Sequence, residues 1–258
     1  MEPLLGRFLC NEAEYLRILS EVTGSPLEED DELLMASMRG THPFFNEALI
    51  KNSSSPPSRS LLWTLECFYQ RHEQPYMVHA CCAADPQRFR EIMADNGYAL
   101  EAINTAMAVD ASSLNPVSRP SGVRVRPVAT SEDLIDFCRT ACRGNELSPS
   151  LEEELVYLMS DIDPRAAPGL TPFIAERGDE PVATSVLLES TDCGVYFVST
   201  VPEERGRGIG AWIAYETVRR GLSSGCRSAL VEASPAGIPM YHRLGFSDLA
   251  FVDEYVKL

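Results

Sequence analysis

A glycine-rich turn between an apolar strand and a long helix constrains this chain more than any other feature of its sequence. The segment Val198–Gly210 consists of a β-branched apolar run, a Pro-Glu turn and the sequence Arg-Gly-Arg-Gly-Ile-Gly, and the helix is predicted to run to about Leu222. Glycine permits positive φ and lets a ligand approach the backbone. Successive N–H groups in such a turn, with the positive end of the helix dipole, converge on an anion. The segment therefore predicts a site for a phosphate or pyrophosphate.

A dinucleotide-binding turn is the first alternative for this segment. The pattern Gly-x-Gly-x-x-Ala begins at Gly206, and Glu232 ends a later apolar run where a ribose-binding carboxylate would lie. In a dinucleotide fold, however, the strand turns into the first glycine almost at once, whereas residues 202–205 intervene here. No further alternation of strands and helices follows Glu232. The context therefore disfavours a dinucleotide site.

The glycine-rich turn and a second segment together resemble the GCN5-related N-acetyltransferase (GNAT) superfamily. The turn carries Arg-x-x-Gly-x-Gly at Arg205, Gly208 and Gly210. About 30 residues later, Tyr-x-x-Leu-Gly-Phe runs from Tyr241 to Phe246. In that family the first motif binds the pyrophosphate of acetyl-CoA, and the tyrosine of the second lies beside the thioester sulfur. The resemblance covers residues 123–258.

The resemblance implies a set of residues that bind acetyl-CoA. The pantetheine arm would lie where the predicted strand Val195–Val201 diverges from Ser228–Ala233, bonded to the backbone of the first strand. Ser234 stands where many family members carry an asparagine that bonds pantetheine, and this departure leaves its contact open. The implied residues are Ser199, Thr200, Val201, Arg205, Gly206, Arg207, Gly208, Ile209, Gly210 and Ser234.

The catalytic residues implied by the resemblance are a general acid and a general base. Tyr241 is the candidate acid, although a phenol with a reference pKa of about 10 donates to a thiolate only when well placed. Many family members carry a glutamate on the strand before the phosphate loop, but residues 194–200 contain no carboxylate. Glu232 is therefore the candidate base, while Tyr196, Ser199, a water chain or direct capture of the neutral amine remain open.

The element pattern predicts an α/β (α+β) chain of two halves joined by a Ser/Pro-rich linker at 110–122. Residues 120–258 follow the order β-α-α-β-β-β-α-β-α-β of a GNAT domain, with a mixed, mostly antiparallel sheet, splayed parallel strands and flanking helices. Residues 1–119 are predicted to be a degenerate GNAT-like half, as in tandem members, that walls one side of the acceptor pocket. This half lacks both motifs. It is expected to be helical at Asp31–Met38.

The predicted function is acetyl transfer from acetyl-CoA to an amine, with a small molecule favoured over a protein as acceptor. A non-catalytic acyl-CoA sensor is the alternative, because the strand carboxylate is absent. The formal net charge of the chain is −16. Residues 1–122 contain 9 basic and 17 acidic side chains, and residues 123–258 contain 13 basic and 21 acidic ones, so each half carries a net charge of −8. Such a surface excludes nucleic acid as partner, since phosphate contacts require a basic face. It favours solubility or a cationic substrate.

No metal site is predicted. The eight cysteines include no Cys-x-x-Cys pair and are interpreted as buried or partly buried thiols. His79 lies in an apolar run and is expected in the core or a pocket wall. Neither a membrane span nor a secretory signal is recognised, so a cytoplasmic protein is expected. The protein is expected to be a monomer or a homodimer.

Overall fold

The computed structural model of the protein describes residues 3–38, 40–52, 55–81 and 85–257 and has a mixed α/β fold. Its contacts divide the chain into two compact units. The first comprises Met1–Ala106, Glu232–Ile238 and Asp248–Leu258, and the second comprises Met107–Val231 and Pro239–Ser247. The predicted thiol of Cys82 lies outside the described residues. In the part of the chain that the structure describes, each helix is too short or too polar to cross a bilayer.

The first unit is a helix-covered sheet. Its helices are α1 (Leu4–Thr23), α2 (Arg59–His72) and α3 (Pro86–Asp95). Its strands are β1 (Leu27–Glu29), β2 (Leu33–Ser37), β3 (Asn46–Ile50), β4 (Tyr76–Ala80), β5 (Ala99–Asp110, in this unit as far as Ala106) and β11 (Ser247–Lys257). The strand order is β1-β2-β3-β4-β11-β5, with β3 and β4 parallel and β4 and β11 antiparallel.

One face of this sheet carries an aromatic core. Tyr76 on β4 stacks on Tyr69 of α2, with ring centroids 4.0 Å apart, and both rings are buried. Side chains alternate along a strand. Tyr76 and Val78 therefore face this core, and the intervening Met77 and His79 face the opposite side of the sheet. Residue 79 is thus directed away from α2 by strand geometry alone.

The second unit is a smaller sheet with helices packed on it. Its strands are β6 (Val123–Pro127), β7 (Leu170–Arg177), β8 (Glu180–Leu188), β9 (Cys193–Thr200) and β10 (Ser228–Ala233, in this unit as far as Val231), in the order β6-β7-β8-β9-β10. Its helices are α4 (Ser131–Gly144), α5 (Pro149–Met159), α6 (Ile209–Ser224) and α7 (Ile238–Leu244). The strands from β6 to β9 pair antiparallel, and β9 and β10 pair parallel.

Strands β9 and β10 diverge. In the described residues they pair only where Ala229 lies opposite Cys193 and Leu230 opposite Gly194. Farther along β9 the ladder with β8 slips by a bulge, where Phe197 takes a φ of 50°. A bulge bends a strand and re-aims its backbone groups. This confirms the predicted splayed parallel pair.

The predicted order of elements in the C-terminal half is confirmed, from β6 through β11. The helix predicted at Asp31–Met38 is wrong, because Leu33–Ser37 is the strand β2. All five residues of β2 are buried, so its apolar run lacks the alternation that marks a half-exposed strand. The boundary predicted between residues 119 and 120 stays a prediction, while the compact units divide near Ala106.

Candidate functional site

The turn between β9 and α6 forms a cradle of backbone N–H groups. Gly206 and Gly208 have φ of 74° and 77°, and Gly208 is the residue before α6. Within the described chain, the six N–H groups of residues 206–211 meet no hydrogen-bond acceptor. Such unpaired donors at the start of a 16-residue helix favour an anion. A phosphate is the chemical group that this geometry fits.

Gly210 sets the distance between the first turn of α6 and the end of β9. A Cβ on Gly210 would lie 3.0 Å from Thr200 Oγ1 and 3.6 Å from Met240 Sδ. A larger residue would therefore push the helix away from the strand. Gly210 is therefore required because the helix and the strand pack closely there, whereas Gly206 and Gly208 are required because their backbone has positive φ.

Arg205 contacts protein groups. Its Nε donates to the carbonyl of Thr200 at 3.2 Å, and its Nη2 donates to the carbonyl of Gly144, the last residue of α4, at 2.8 Å. Its Nη1 pairs with Glu146. These three acceptors tie the turn to the end of β9 and to the chain at the end of α4. These contacts brace the cradle, and the assignment of Arg205 to the ligand stays a prediction.

Arg207 is the arginine of the turn that remains accessible. Its side chain is 55% exposed, and its Nη1 lies 3.3 Å from a carboxylate oxygen of Glu204. Glu204 is largely buried and also pairs with Arg177 at 3.0 Å. An exposed surface pair contributes little to stability. Arg207 is therefore free to turn toward an anion at the cradle.

The backbone of β9 offers fewer ligand groups than the sequence suggested. The N–H of Val201 donates to the carbonyl of Val182 at 3.0 Å, toward β8. Backbone groups alternate in direction along a strand. The N–H of Thr200 accordingly points toward the opposite edge, whereas the hydroxyl of Ser199 is 2.7 Å from that of Thr184. Between Thr200 and Val201, Thr200 is therefore the residue whose N–H is directed away from β8.

Tyr241 is a buried phenol on α7. Its residue is 4% exposed, and its ring meets Phe246 edge-to-face at 5.2 Å between centroids. Among the described residues, no hydrogen-bond partner faces its hydroxyl. Burial raises its pKa well above the ordinary value of 10. The phenol is therefore protonated at neutral pH and can act as a proton donor.

The end of α7 is fixed by a crossing segment. Gly245 has a φ of 98°, and a Cβ there would lie 2.0 Å from the carbonyl oxygen of Ser113. The N–H of Asn115 donates to the carbonyl of Leu244 at 2.9 Å. The glycine of Leu-Gly-Phe thus makes room for the chain at 113–115, which holds the helix carrying Tyr241.

Glu232 lies in the first unit, in a polar group that the sequence did not reveal. We call Glu47, His79, Asn104, Glu232 and Glu254 the carboxylate group. Asn104 Nδ2 donates to Glu232 Oε1 at 2.8 Å and to Glu254 Oε1 at 2.7 Å. His79 Nδ1 lies 3.7 Å from Glu232 and 3.8 Å from Glu254, and its Nε2 lies 3.8 Å from Glu47. Five strands bring these side chains together.

The pKa values of the side chains in the carboxylate group are shifted in different directions. Burial disfavours a charged imidazole, but the interaction with Glu232 and the charges of Glu47 and Glu254 outweigh it and raise the pKa of His79 to about 10. Burial and the neighbouring carboxylates raise the pKa of Glu254 to about 7. Burial opposes ionisation of Glu232 too, yet His79 and Asn104 hold its pKa below the usual range. Burial raises the pKa of Glu47.

Three members of this group also have the spacing of a metal site. One atom each of His79, Glu232 and Glu254 lies within 4.8 Å of the others. A histidine must be neutral to coordinate a metal. The surrounding carboxylates hold His79 protonated, which opposes coordination at neutral pH. A proton and a metal ion would therefore compete for His79.

Ser234 is exposed in the turn after β10. Its carbonyl accepts from the N–H groups of Gly237 and Ile238 at 2.8 and 3.1 Å. It thus stabilises the turn that leads into α7. Like Glu232 it lies in the first unit, whereas the cradle and Tyr241 lie in the second.

The sequence singled out the residues of the cradle, Tyr241 and Glu232 as candidates but not the partners of Glu232. His79 is partly buried, as expected for a pocket wall, yet three carboxylates surround it. The sequence signal that could have indicated these partners is a polar histidine within the apolar run of β4. Its register opposite Glu254 on β11 required the fold.

Comparison with known proteins gives a family match over part of the chain. Residues 134–246 match the acetyltransferase (GNAT) family. This span contains the cradle and Tyr241. A comparison with curated protein sequences gives no match.

Solved structures resemble the whole chain in fold. A GCN5-related N-acetyltransferase from Kribbella flavida is 16% identical with a TM-score of 0.69, over 96% of this chain and 95% of that one. A second from Sphaerobacter thermophilus is 15% identical with a TM-score of 0.59, over 96% and 93%. A tandem GNAT protein from the clavulanic acid biosynthesis pathway is 11% identical with a TM-score of 0.55, over 97% and 94%. At these identities the likeness is one of fold.

Proposed function

Because the chain carries a domain of the acetyltransferase (GNAT) family over residues 134–246, we propose that the protein transfers an acetyl group from acetyl-CoA to an amine. The observation that carries this proposal is the cradle of six unpaired N–H groups within that span. A pyrophosphate presents several oxygens to such donors at once. No metal takes part in the proposed reaction.

The cradle binds the pyrophosphate of acetyl-CoA in this proposal. The N–H groups of Gly206, Gly208, Ile209 and Gly210 donate to it, and Arg207 adds a mobile positive charge. Arg205 contributes by bracing the turn against α4. The pantetheine arm then occupies the divergence of β9 and β10, where Thr200 offers backbone groups.

Tyr241 is the proposed proton donor to the leaving thiolate. Its hydroxyl is unpartnered in the described chain, and its raised pKa keeps the proton in place until negative charge develops nearby. A donor weaker than the thiol acts only by being positioned at the sulfur. The amine nitrogen attacks the thioester carbonyl, the C–S bond breaks as the sulfur takes the phenol proton, and the proton that the nitrogen loses restores the phenol.

The acceptor is proposed to be a small amine rather than a protein. The uniform negative charge of the chain favours a cationic substrate over an anionic one. We further propose that residues 1–119 are a degenerate GNAT-like half. In support, α3, Gly97 at a φ of 81° and β5 follow one another as α7, Gly245 and β11 do. The tandem protein among the structural relatives spans nearly all of this chain.

Two measurements test the proposal. Calorimetry should show binding of CoA and acetyl-CoA by the full chain, and absence of binding would overturn the cradle assignment. Incubation with acetyl-CoA and a panel of amines should release free thiol with at least one amine. Binding without release for any amine would instead favour the alternative, an acyl-CoA sensor without catalysis, which the absence of a carboxylate on β9 motivates.

A further inference from the structure

The carboxylate group lies within the first unit and carries an excess of acidic side chains. All five of its residues belong to that unit. In the described part of the chain, His79 is the one cationic side chain that pairs with its three glutamates. Carboxylates removed from water require a compensating cation, which is either a charged side chain or a metal ion. A cation is therefore the kind of ligand that this group attracts.

Three side chains of the group direct ligand atoms toward one point. One atom each of His79, Glu232 and Glu254 lies within 4.8 Å of the other two. The Nδ1 atom of His79 is 3.7 Å from a carboxylate oxygen of Glu232 and 3.8 Å from one of Glu254. Around a tetrahedral zinc ion with bonds of about 2.0–2.1 Å, the ligand atoms lie about 3.4 Å apart. Side-chain movements of less than about 1 Å therefore bring these atoms to coordination distance.

The other two residues of the group orient these side chains. Asn104 Nδ2 donates to an oxygen of Glu232 at 2.8 Å and of Glu254 at 2.7 Å, and each carboxylate keeps further lone pairs. The Nε2 atom of His79 is buried, forms no hydrogen bond with the described residues and lies 3.8 Å from a carboxylate oxygen of Glu47. A histidine that binds a metal through one nitrogen usually directs its other N–H to a carboxylate. Glu47 lies at that position.

An ion can reach the group from solvent and compete with the proton on His79. Between 13% and 26% of each glutamate side chain is exposed, and 17% of the His79 side chain. Without metal the imidazole is protonated, because the surrounding carboxylates favour its charged form. The same carboxylates act on twice the charge in a divalent ion. A zinc ion that binds Nδ1 therefore releases this proton to water.

We propose that His79 Nδ1, Glu232 and Glu254 bind one zinc ion, with Glu47 and Asn104 as positioning residues. An imidazole nitrogen among the ligands selects zinc over Mg²⁺ and Ca²⁺, which prefer oxygen. Three protein ligands leave the fourth position of a tetrahedral ion to water. The three ligands lie on β4, β10 and β11, so the ion ties these strands together through residues of the first unit. This site is independent of the proposed acetyl transfer.

The first experiment measures zinc binding by the unmodified full chain after a chelator has removed bound metal. Calorimetry with Zn²⁺ alone should show one ion per chain and a Kd below about 10 μM. Mg²⁺ should bind at least about 100-fold more weakly. Saturating zinc should raise the Tm by about 5 °C, because the ion binds the folded protein. In ¹⁵N NMR, the Nδ1 resonance of His79 should shift when zinc is added.

Substitutions locate the ion within the chain. Glu232→Gln and Glu254→Gln should each weaken zinc binding by more than about 100-fold, because each removes a ligand, and Glu47→Gln should weaken it by about tenfold. Two controls should leave the affinity unchanged. Glu101→Gln removes an exposed carboxylate on β5, and Cys10→Ser removes an exposed thiol. Circular dichroism checks that each variant is folded.

Four results would overturn the proposal. They are a zinc Kd above about 10 μM, Mg²⁺ binding of comparable affinity, an unmoved Nδ1 resonance of His79, and unchanged zinc affinity in both Glu232→Gln and Glu254→Gln. A loss of binding in Cys10→Ser would assign the ion to thiols and overturn it as well. If a glutamate variant does not fold, the His79 resonance of the unmodified protein decides. CoA binding and acetyl transfer are measured separately and can fail without affecting this site.

Discussion

The cradle of residues 206–211 and the carboxylate group are built in opposite ways. The cradle is made of backbone N–H groups from six consecutive residues, 206–211. The carboxylate group is made of side chains from five strands, from Glu47 to Glu254. A site made of consecutive backbone needs glycines at fixed positions, which a sequence displays. A site made of side chains needs only polar residues that the sheet later aligns, so its parts look unrelated in the sequence.

The largest expected effect tests whether the backbone N–H groups of the cradle bind CoA. Gly208→Glu should weaken CoA binding by about 1,000-fold, because like-charge repulsion costs several kcal/mol and a non-glycine residue at a φ of 77° is strained. Gly178→Glu is the matched control, since Gly178 also has positive φ and open space around its Cβ position. Calorimetry measures both. Equal losses in the two variants would show that strain, not the cradle, is responsible.

The next effect concerns the phenol of Tyr241, which lies in the same unit as the cradle. Tyr241→Phe should lower kcat by about 100-fold, the usual value of one proton transfer, while leaving CoA affinity nearly unchanged. The hydroxyl has no partner in the described chain, so its loss leaves no buried group unpaired. Steady-state kinetics and calorimetry measure the two quantities. A fall in affinity with an unchanged rate per bound complex would contradict the acid role.

The carboxylate group should make the free energy of unfolding depend on pH. The folded pKa of His79, about 10, lies above the reference value of 6.5, so its contribution is complete below pH 6.5 and lost as the pH rises toward 10. One proton corresponds to a slope of up to about 1.4 kcal/mol per pH unit, and we expect a loss of about 2 kcal/mol from pH 7 to 9. His79→Gln should flatten this slope in urea unfolding curves. An unchanged slope would show that His79 is not held protonated.

The smallest effect separates the two arginines of the cradle. Arg207→Ala should weaken CoA binding by about tenfold, with an effect that shrinks at high salt and an unchanged Tm. Arg205→Ala should lower the Tm, because the carbonyls of Gly144 and Thr200 lose their donor. Arg219→Ala, which removes an exposed cation paired within α6, is the control. If Arg207→Ala lowered the Tm and Arg205→Ala weakened CoA binding without changing the Tm, the roles assigned to the two arginines would be the reverse of those proposed.

Much of the second unit could be predicted from local signals. The side chains of Thr130 and Asp133 cap the start of α4, and Gly225 at a φ of 112° ends α6. The bracing role of Arg205 could not be predicted, because its acceptor at Gly144 lies about 60 residues away. A motif indicates that an arginine is required without telling which atoms it contacts.

The first unit resisted prediction for a related reason. Strand β2 is buried throughout, so an apolar run that fits either helix or strand was assigned to a helix. Its pairing with β1 and β3 decides its conformation, and pairing is not a local property.

The sequence alone determined the anion cradle, the helix that follows it and the tyrosine of α7, because glycine φ, capping and short motifs act over a few residues. Only the tertiary structure decided that Arg205 braces the turn, that Gly245 makes room for Ser113, and that Glu232 has Glu254 and His79 as neighbours. These contacts join residues far apart in the chain. Their energies depend on burial and on distances between side chains, which exist only once the sheet has formed.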